Sequence, residues 1–180
     1  MDFRSVLDFW FEAANRRCWF RSTPAFDRLI RERFEAVWKV ARDGQLDTWE
    51  DSPEGALALV VVLDQFPLNM YRGTALSYST EAQSREVARR ALAAGFDVRL
   101  NDEQRAFLYL PFMHSENLSD QDRAVELFER AGLEDNLRWA RHHRDIVRRF
   151  GRFPHRNALL QRENTPEESR WLQSDQAFSG

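Results

Sequence analysis

Apolar residues recur three and four positions apart along nearly the whole chain, the period that lays one stripe along one face of an α-helix. The clearest run is Phe26, Leu29, Ile30, Phe34, Val37, Trp38 and Ala41. Thr23-Pro24 precedes it as an N-cap followed by proline at the first helical position, and Gly44 follows as a stop. Ser52-Pro53-Glu54 opens a second segment running through an apolar stretch to about Gln65, where Pro67 is expected to end it. Val60-Val61-Val62 is β-branched, but the cap before it and the length of the segment read as a buried helix. Thr80 with Gln83 has capping-box spacing and opens a helix striped by Val87, Ala88, Ala91 and Leu92, with Gly95 closing it.

The second half repeats the pattern. Asn101 with Gln104 starts a helix carrying Phe107, Leu108 and Leu110, its last turn disturbed by Pro111. Ser119 starts one with Val125 and Phe128, ended by Gly132. Asp135 starts the longest late helix, striped by Leu137, Trp139, Ala140, His143, Ile146, Val147 and Phe150 and followed by Gly151. Thr165-Pro166-Glu167-Glu168 opens a final short helix with Trp171 and Leu172, and an N-terminal helix covers roughly Ser5 to Ala14. The expected fold is all-α: about eight helices in antiparallel pairs, a tetratricopeptide-like or irregular helical array. A single domain is expected over residues 1–173, with a loose tail at 174–180.

Composition narrows the function classes. Hydrophobic residues make up 43% and charged residues 31% of 180, which suits a folded globule rather than a disordered chain. A net charge of -3 argues against a nucleic-acid binder. Cys18 is the single cysteine, so no intramolecular disulfide can form, and it reads as a half-buried inert thiol. Asp2, Asp8 and Glu12 interrupt the N-terminus, unlike a signal peptide, and no apolar run approaches the roughly 20 residues of a membrane span. A cytoplasmic protein without membrane contact is expected. Fourteen Phe and six Trp could leave aromatic surface for a homodimer. No dinucleotide fingerprint, phosphate loop or nucleophile elbow is present, so no cofactor is named.

The candidate chemistry sits at three helix ends, each beside a Phe and a Pro: Asp64 to Gly73, Leu110 to Glu116, and Arg149 to Asn157. If successive helices run up and down, these three ends face the same way. The pooled residues are Asp64, Asn69, Arg72, His114, Glu116, Arg152, His155, Arg156 and Asn157. Arginine forks suit carboxylate or phosphate, and histidine moves protons near neutral pH. Asp64, His114, Glu116 and His155 are the acid–base candidates, with His114 and Asp64 the leading pair; Asn69, Arg72, Arg152, Arg156 and Asn157 are the ligand-binding candidates. The same residues also have structural uses, arginine capping terminal carbonyls and Asn or Asp bonding its own turn. His114 and Glu116 alone are a weak metal signature, and no metal is assigned. His143, on an apolar stripe, reads as a core histidine, and His142 beside it as solvated.

Taken in order, these motifs resemble a bacterial family known as domain of unknown function 924. The resemblance runs from Phe9-Trp10-Phe11 and Trp19-Phe20 through Gly55 to Leu59, the three clusters with Asp120-Gln121, and Thr165 to Glu168. It implies an all-helical fold similar to the tetratricopeptide-like superfamily and no known activity. Two positions depart from the family pattern, Leu68 in place of a basic residue and Gln161 in place of glycine. The first removes a charge from the candidate site; the second implies a different path for the loop after Asn157. Two functions are therefore carried forward: a polar pocket for a small anionic molecule, with acid–base chemistry, or a tetratricopeptide-like scaffold binding a peptide without catalysis.

Overall fold

The computed structural model describes residues 2–174 and 177, so most of the expected tail lies outside the described residues. Every regular element among the described residues is helical. The helices are α1 (Phe3–Trp10), α2 (Ala13–Arg16), α3 (Pro24–Arg42), α4 (Pro53–Val60), α5 (Phe66–Met70), α6 (Glu81–Ala93), α7 (Asp102–Met113), α8 (Leu118–Arg130), α9 (Glu134–Phe150) and α10 (Pro166–Leu172), with short 3₁₀ turns between several of them. The chain divides into two compact units, residues 1–111 and 112–180.

Several starts follow from local chemistry. The Thr23 side chain accepts from Phe26 N–H, and Ser52 from Gly55 N–H. Asn101 and Gln104 bond each other's backbone N–H at 3.2 and 3.0 Å, as do Thr165 and Glu168 at 2.7 and 3.1 Å. Others depart from expectation. The first helix is capped by Asp2 and ends at Trp10, with the chain turning into α2. Asn117, not Ser119, caps α8 and accepts from Ser119 N–H. Thr80 precedes α6 without a side-chain capping bond. Its hydroxyl donates instead to Leu63 C=O at 2.5 Å and accepts from Trp38 Nε1 at 3.1 Å, while Gln83 donates to Arg42 C=O.

That diversion explains why Pro67 does not stop its helix. The chain passes from α4 through a π turn, Val61–Gln65, directly into α5. Proline brings no N–H, which would leave the carbonyl four residues back, Leu63, without a helical donor. Thr80 supplies that donor from outside the helix, and Ser84 reaches Val60 C=O at 3.4 Å in the same way.

In the first unit the core is aromatic. Phe9, Trp10, Phe26, Phe34, Phe66 and Phe107 are buried, with Phe34 4.7 Å from Phe66 and 4.9 Å from Phe9, and Trp19 4.7 Å from Phe107. Contacts of this kind stabilise by ~1 kcal/mol beyond area burial. In the second unit α8 packs on α9, and Ile146, Val147, Phe153 and Trp171 form a cluster capped by Phe150 and Leu172. Two expected stripe residues point outward: Trp139 is 46% and Leu29 39% exposed. Each lies at the edge of its stripe, where period alone does not decide burial.

Gly55 holds α4 against the preceding turn. A Cβ there would meet Trp49 C=O at 2.1 Å. Alanine is the better helix former by ~1 kcal/mol, yet the clash is with backbone that cannot rotate away. Gly55→Ala is therefore expected to cost about 3 kcal/mol in urea unfolding. A variant as stable as the parent would show that Trp49 moves freely.

Candidate functional site

Two polar clusters are built, one in each unit. In the first, α5 presents Asn69 and the turn after it Arg72. Both converge on Asp27 of α3: Asn69 Nδ2 donates to Asp27 Oδ1 at 2.7 Å and Arg72 Nε to Oδ2 at 2.9 Å. Ser22 donates to the same carboxylate at 2.6 Å. Burial alone would raise the Asp27 pKa, but the Arg72, Ser22 and Asn69 donors outweigh it and hold it below the usual carboxylate range. Asp64 is 0% exposed within the π turn and accepts from Gln65 Nε2 at 2.6 Å. The structure thus brings Asn69 and Arg72 together, on a carboxylate that no sequence motif singles out. Tyr71, between them, donates to Glu35 at 2.9 Å, and burial with that carboxylate pushes its phenol to about 12.

The second unit gathers Glu116, Arg152, His155, Arg156 and Asn157. The turn after α7 delivers Glu116 onto the turn after α9, where one carboxylate oxygen accepts Phe153 N–H at 2.7 Å. Arg162 grips the same carboxylate with two nitrogens at 2.6 and 2.8 Å. Burial works against the charge, but Arg162 and the Phe153 amide prevail and the Glu116 pKa falls. Arg152 is held likewise: Glu168 takes its Nε at 2.6 Å and Nη2 at 2.8 Å, and Glu163 C=O accepts at 2.8 Å. Arg156 lies over the Phe153 ring at 4.7 Å. Asn157 donates to Asn164 at 2.8 Å, and its own oxygen, fully buried, finds no hydrogen-bond partner among the described residues.

The histidines belong to the same unit. Burial pushes His155 down to about 4, and the neighbouring Arg156 and Arg162 outweigh the opposite pull of Glu116. His143 is buried as expected, its Nδ1 2.8 Å from Trp139 C=O, and burial takes it to about 3. His114, His142 and His155 all lie close enough to His143 to disfavour its charge further. Both shifted imidazoles are neutral at neutral pH. Among the described residues no three His, Cys, Asp or Glu side chains converge as a metal site, and no helix is long and apolar enough to cross a membrane.

The second and third sequence clusters therefore meet, through Glu116. Two candidate ligand-binding arginines, Arg72 and Arg152, are each clasped by a carboxylate of their own unit. Sequence reasoning missed Asp27, Arg162, Asn164 and Ser22, which lie 5 to 47 residues from their partners with no local signal. Glu168 was legible as a cap, not as the seat of Arg152. Gln161 has φ 55°, the left-handed region where a glycine sits without strain.

The model of a bacterial protein family of unknown function, DUF924, matches residues 6–176. The chain belongs to this family. It is also similar to a solved structure, a protein of unknown function, ATU0120, from Agrobacterium tumefaciens, at 43% identity. That likeness covers 95% of this chain and 96% of the other, with a TM-score of 0.90. No curated protein matches the chain. Family membership thus brings the fold, and the DUF924 motifs, and no activity.

Proposed function

We infer that this DUF924 protein binds a small oxyanion at the Phe153–Arg162 turn of its second unit. The observation that carries the reading is the pair of buried, unsatisfied atoms in that turn, Asn157 Oδ1 and Arg162 Nε. One is an acceptor that needs a donor and the other a donor that needs an acceptor, and each costs roughly 1–3 kcal/mol while unmet. A small hydroxy acid offers both, an O–H and a carboxylate. Arg156 and Arg162 favour negative charge there. An imidazole with a pKa near 4 is a weak base at neutral pH, so His155 is suited to hydrogen bonding and orientation rather than to proton abstraction. His114 and Glu116 complete the surroundings, Glu116 fixing the Phe153 amide and Arg162.

The test is an NMR titration of the intact protein with glycolate, with acetate as the hydroxyl-free comparison. Glycolate is expected to shift the Asn157 side-chain amide and His155 ring signals saturably, acetate more weakly, and Asn157→Ala to abolish the difference. Equal, non-saturating shifts from both acids would mean that ordinary buried water satisfies the turn, and the reading would be wrong.

A further inference from the structure

A groove of about 690 Å³ runs beside α1, wholly within the first unit and separate from both clusters above. Its floor is an apolar stripe, Phe3, Leu7 and Phe11, spaced four residues apart along one side of α1 and its C-terminal cap. Both ends of that stripe are fixed. Phe3 packs edge-on against Trp49 at 6.0 Å, and Phe11 against Trp19 and Phe107, each at 5.6 Å. The floor is thus held in place before anything binds, which lowers the ordering cost of binding.

The rim is acidic. Asp8, Glu12 and Glu54 line the groove and are exposed, and none forms an ion pair among the described residues. The one lining cation, Arg4, bonds Asp2 at 3.1 Å and is neutralised by it. The N-terminal ends of α4 and α7 lie nearby, but Glu54, and Asp102 with Glu103, occupy those first turns and offset their positive ends. The groove is therefore apolar underneath and uncompensated above. Its carboxylates do not converge closely enough to share a metal ion. Separated negative charges over an apolar strip call for separated positive charges on an apolar chain.

We propose that the α1 groove binds a linear aliphatic polyammonium ion, its methylene segments lying on Phe3, Leu7 and Phe11 and its ammonium groups meeting Asp8, Glu12 and Glu54. The contribution of each exposed carboxylate is modest and screened by salt, so affinity comes from several acting together with the apolar contact.

Spermidine is the probe, titrated by NMR and calorimetry at fixed ionic strength, with Mg²⁺ as a charge-only comparison and a lysine-rich peptide as another polycation. Spermidine is expected to bind saturably and perturb Leu7 and Phe11, and Mg²⁺ to leave both unmoved. The exposed triple variant Asp8→Asn/Glu12→Gln/Glu54→Gln should bind about tenfold more weakly, and Leu7→Asn should weaken binding with every charge retained. Three outcomes overturn the proposal: no saturable spermidine binding; displacement by Mg²⁺ of equal ionic strength; or binding of the lysine-rich peptide where spermidine fails. Circular dichroism of each variant ensures that lost binding is not lost fold.

Discussion

Lowering the pH from 7 to about 4 is expected to strip roughly 3 kcal/mol of stability from the protein through His143 alone. The imidazole titrates near 6.5 when the chain is unfolded and near 3 when it is buried in α9. Between those values the unfolded chain takes up a proton that the folded chain refuses, so stability falls as the pH falls through that window and is flat above it. His155, with a folded value near 4, adds a second loss of the same sign. Carboxylates act in a separate window. Glu116 and Asp27, held low by their donors, and Glu168, pushed to about 2, contribute stability that fades only as the pH drops through the ordinary carboxylate range. Urea unfolding at pH 7.5, 6 and 5 would isolate the histidine term. His143→Met should roughly halve the pH slope in that interval, His155 keeping the remainder, and the His143 ring signals of the parent should stay neutral there. An unchanged slope in the variant would mean that the imidazole ionises in place.

Removing the Glu168 side chain is expected to be as costly as emptying a core aromatic site, about 4 kcal/mol for Glu168→Ala. The carboxylate is 1% exposed and does two jobs at once. It receives two Arg152 nitrogens, and it accepts Thr165 N–H as half of the α10 capping box. Truncation would leave a half-buried guanidinium without its counter-charge and Thr165 N–H without its acceptor, removing half of the capping box of a helix whose Trp171 belongs to the small core. Glu168→Gln keeps the cap acceptor and should recover about 1 kcal/mol. A double-mutant cycle with Arg152→Ala separates the two roles; a coupling below ~0.5 kcal/mol would show that the pair contributes little and that the cap carries the loss.

What could be read in the sequence was what is local. Thr23, Ser52, Asn101 with Gln104, and Thr165 with Glu168 act within four residues, and each starts a helix where its chemistry places it. Thr80 has the same local credentials and fails, because a carbonyl 17 residues earlier and the Trp38 indole compete for its hydroxyl. The candidate site divides in the same way. Asn69, Arg72, Glu116, Arg152 and Asn157 stand out as polar groups at proline-fixed helix ends. Their partners do not, since Asp27 is one of three acids on α3, and Arg162 one basic residue in an irregular loop. Burial of His143 was visible in its stripe; burial of His155, in a turn, had no period to betray it.

The π turn between α4 and α5 has an effect on timing along the helix. An α-helix advances its face by about 100° per residue, and one extra residue in a turn resets the phase of everything after it by about that angle. Residues before Val61 and after Gln65 therefore belong to two different helical wheels drawn on one continuous rod. Asn69 reaches Asp27 after that phase step, while Leu63 C=O within the turn and Val60 C=O just before it accept from Thr80 and Ser84. Within these five residues, the count itself is part of the design.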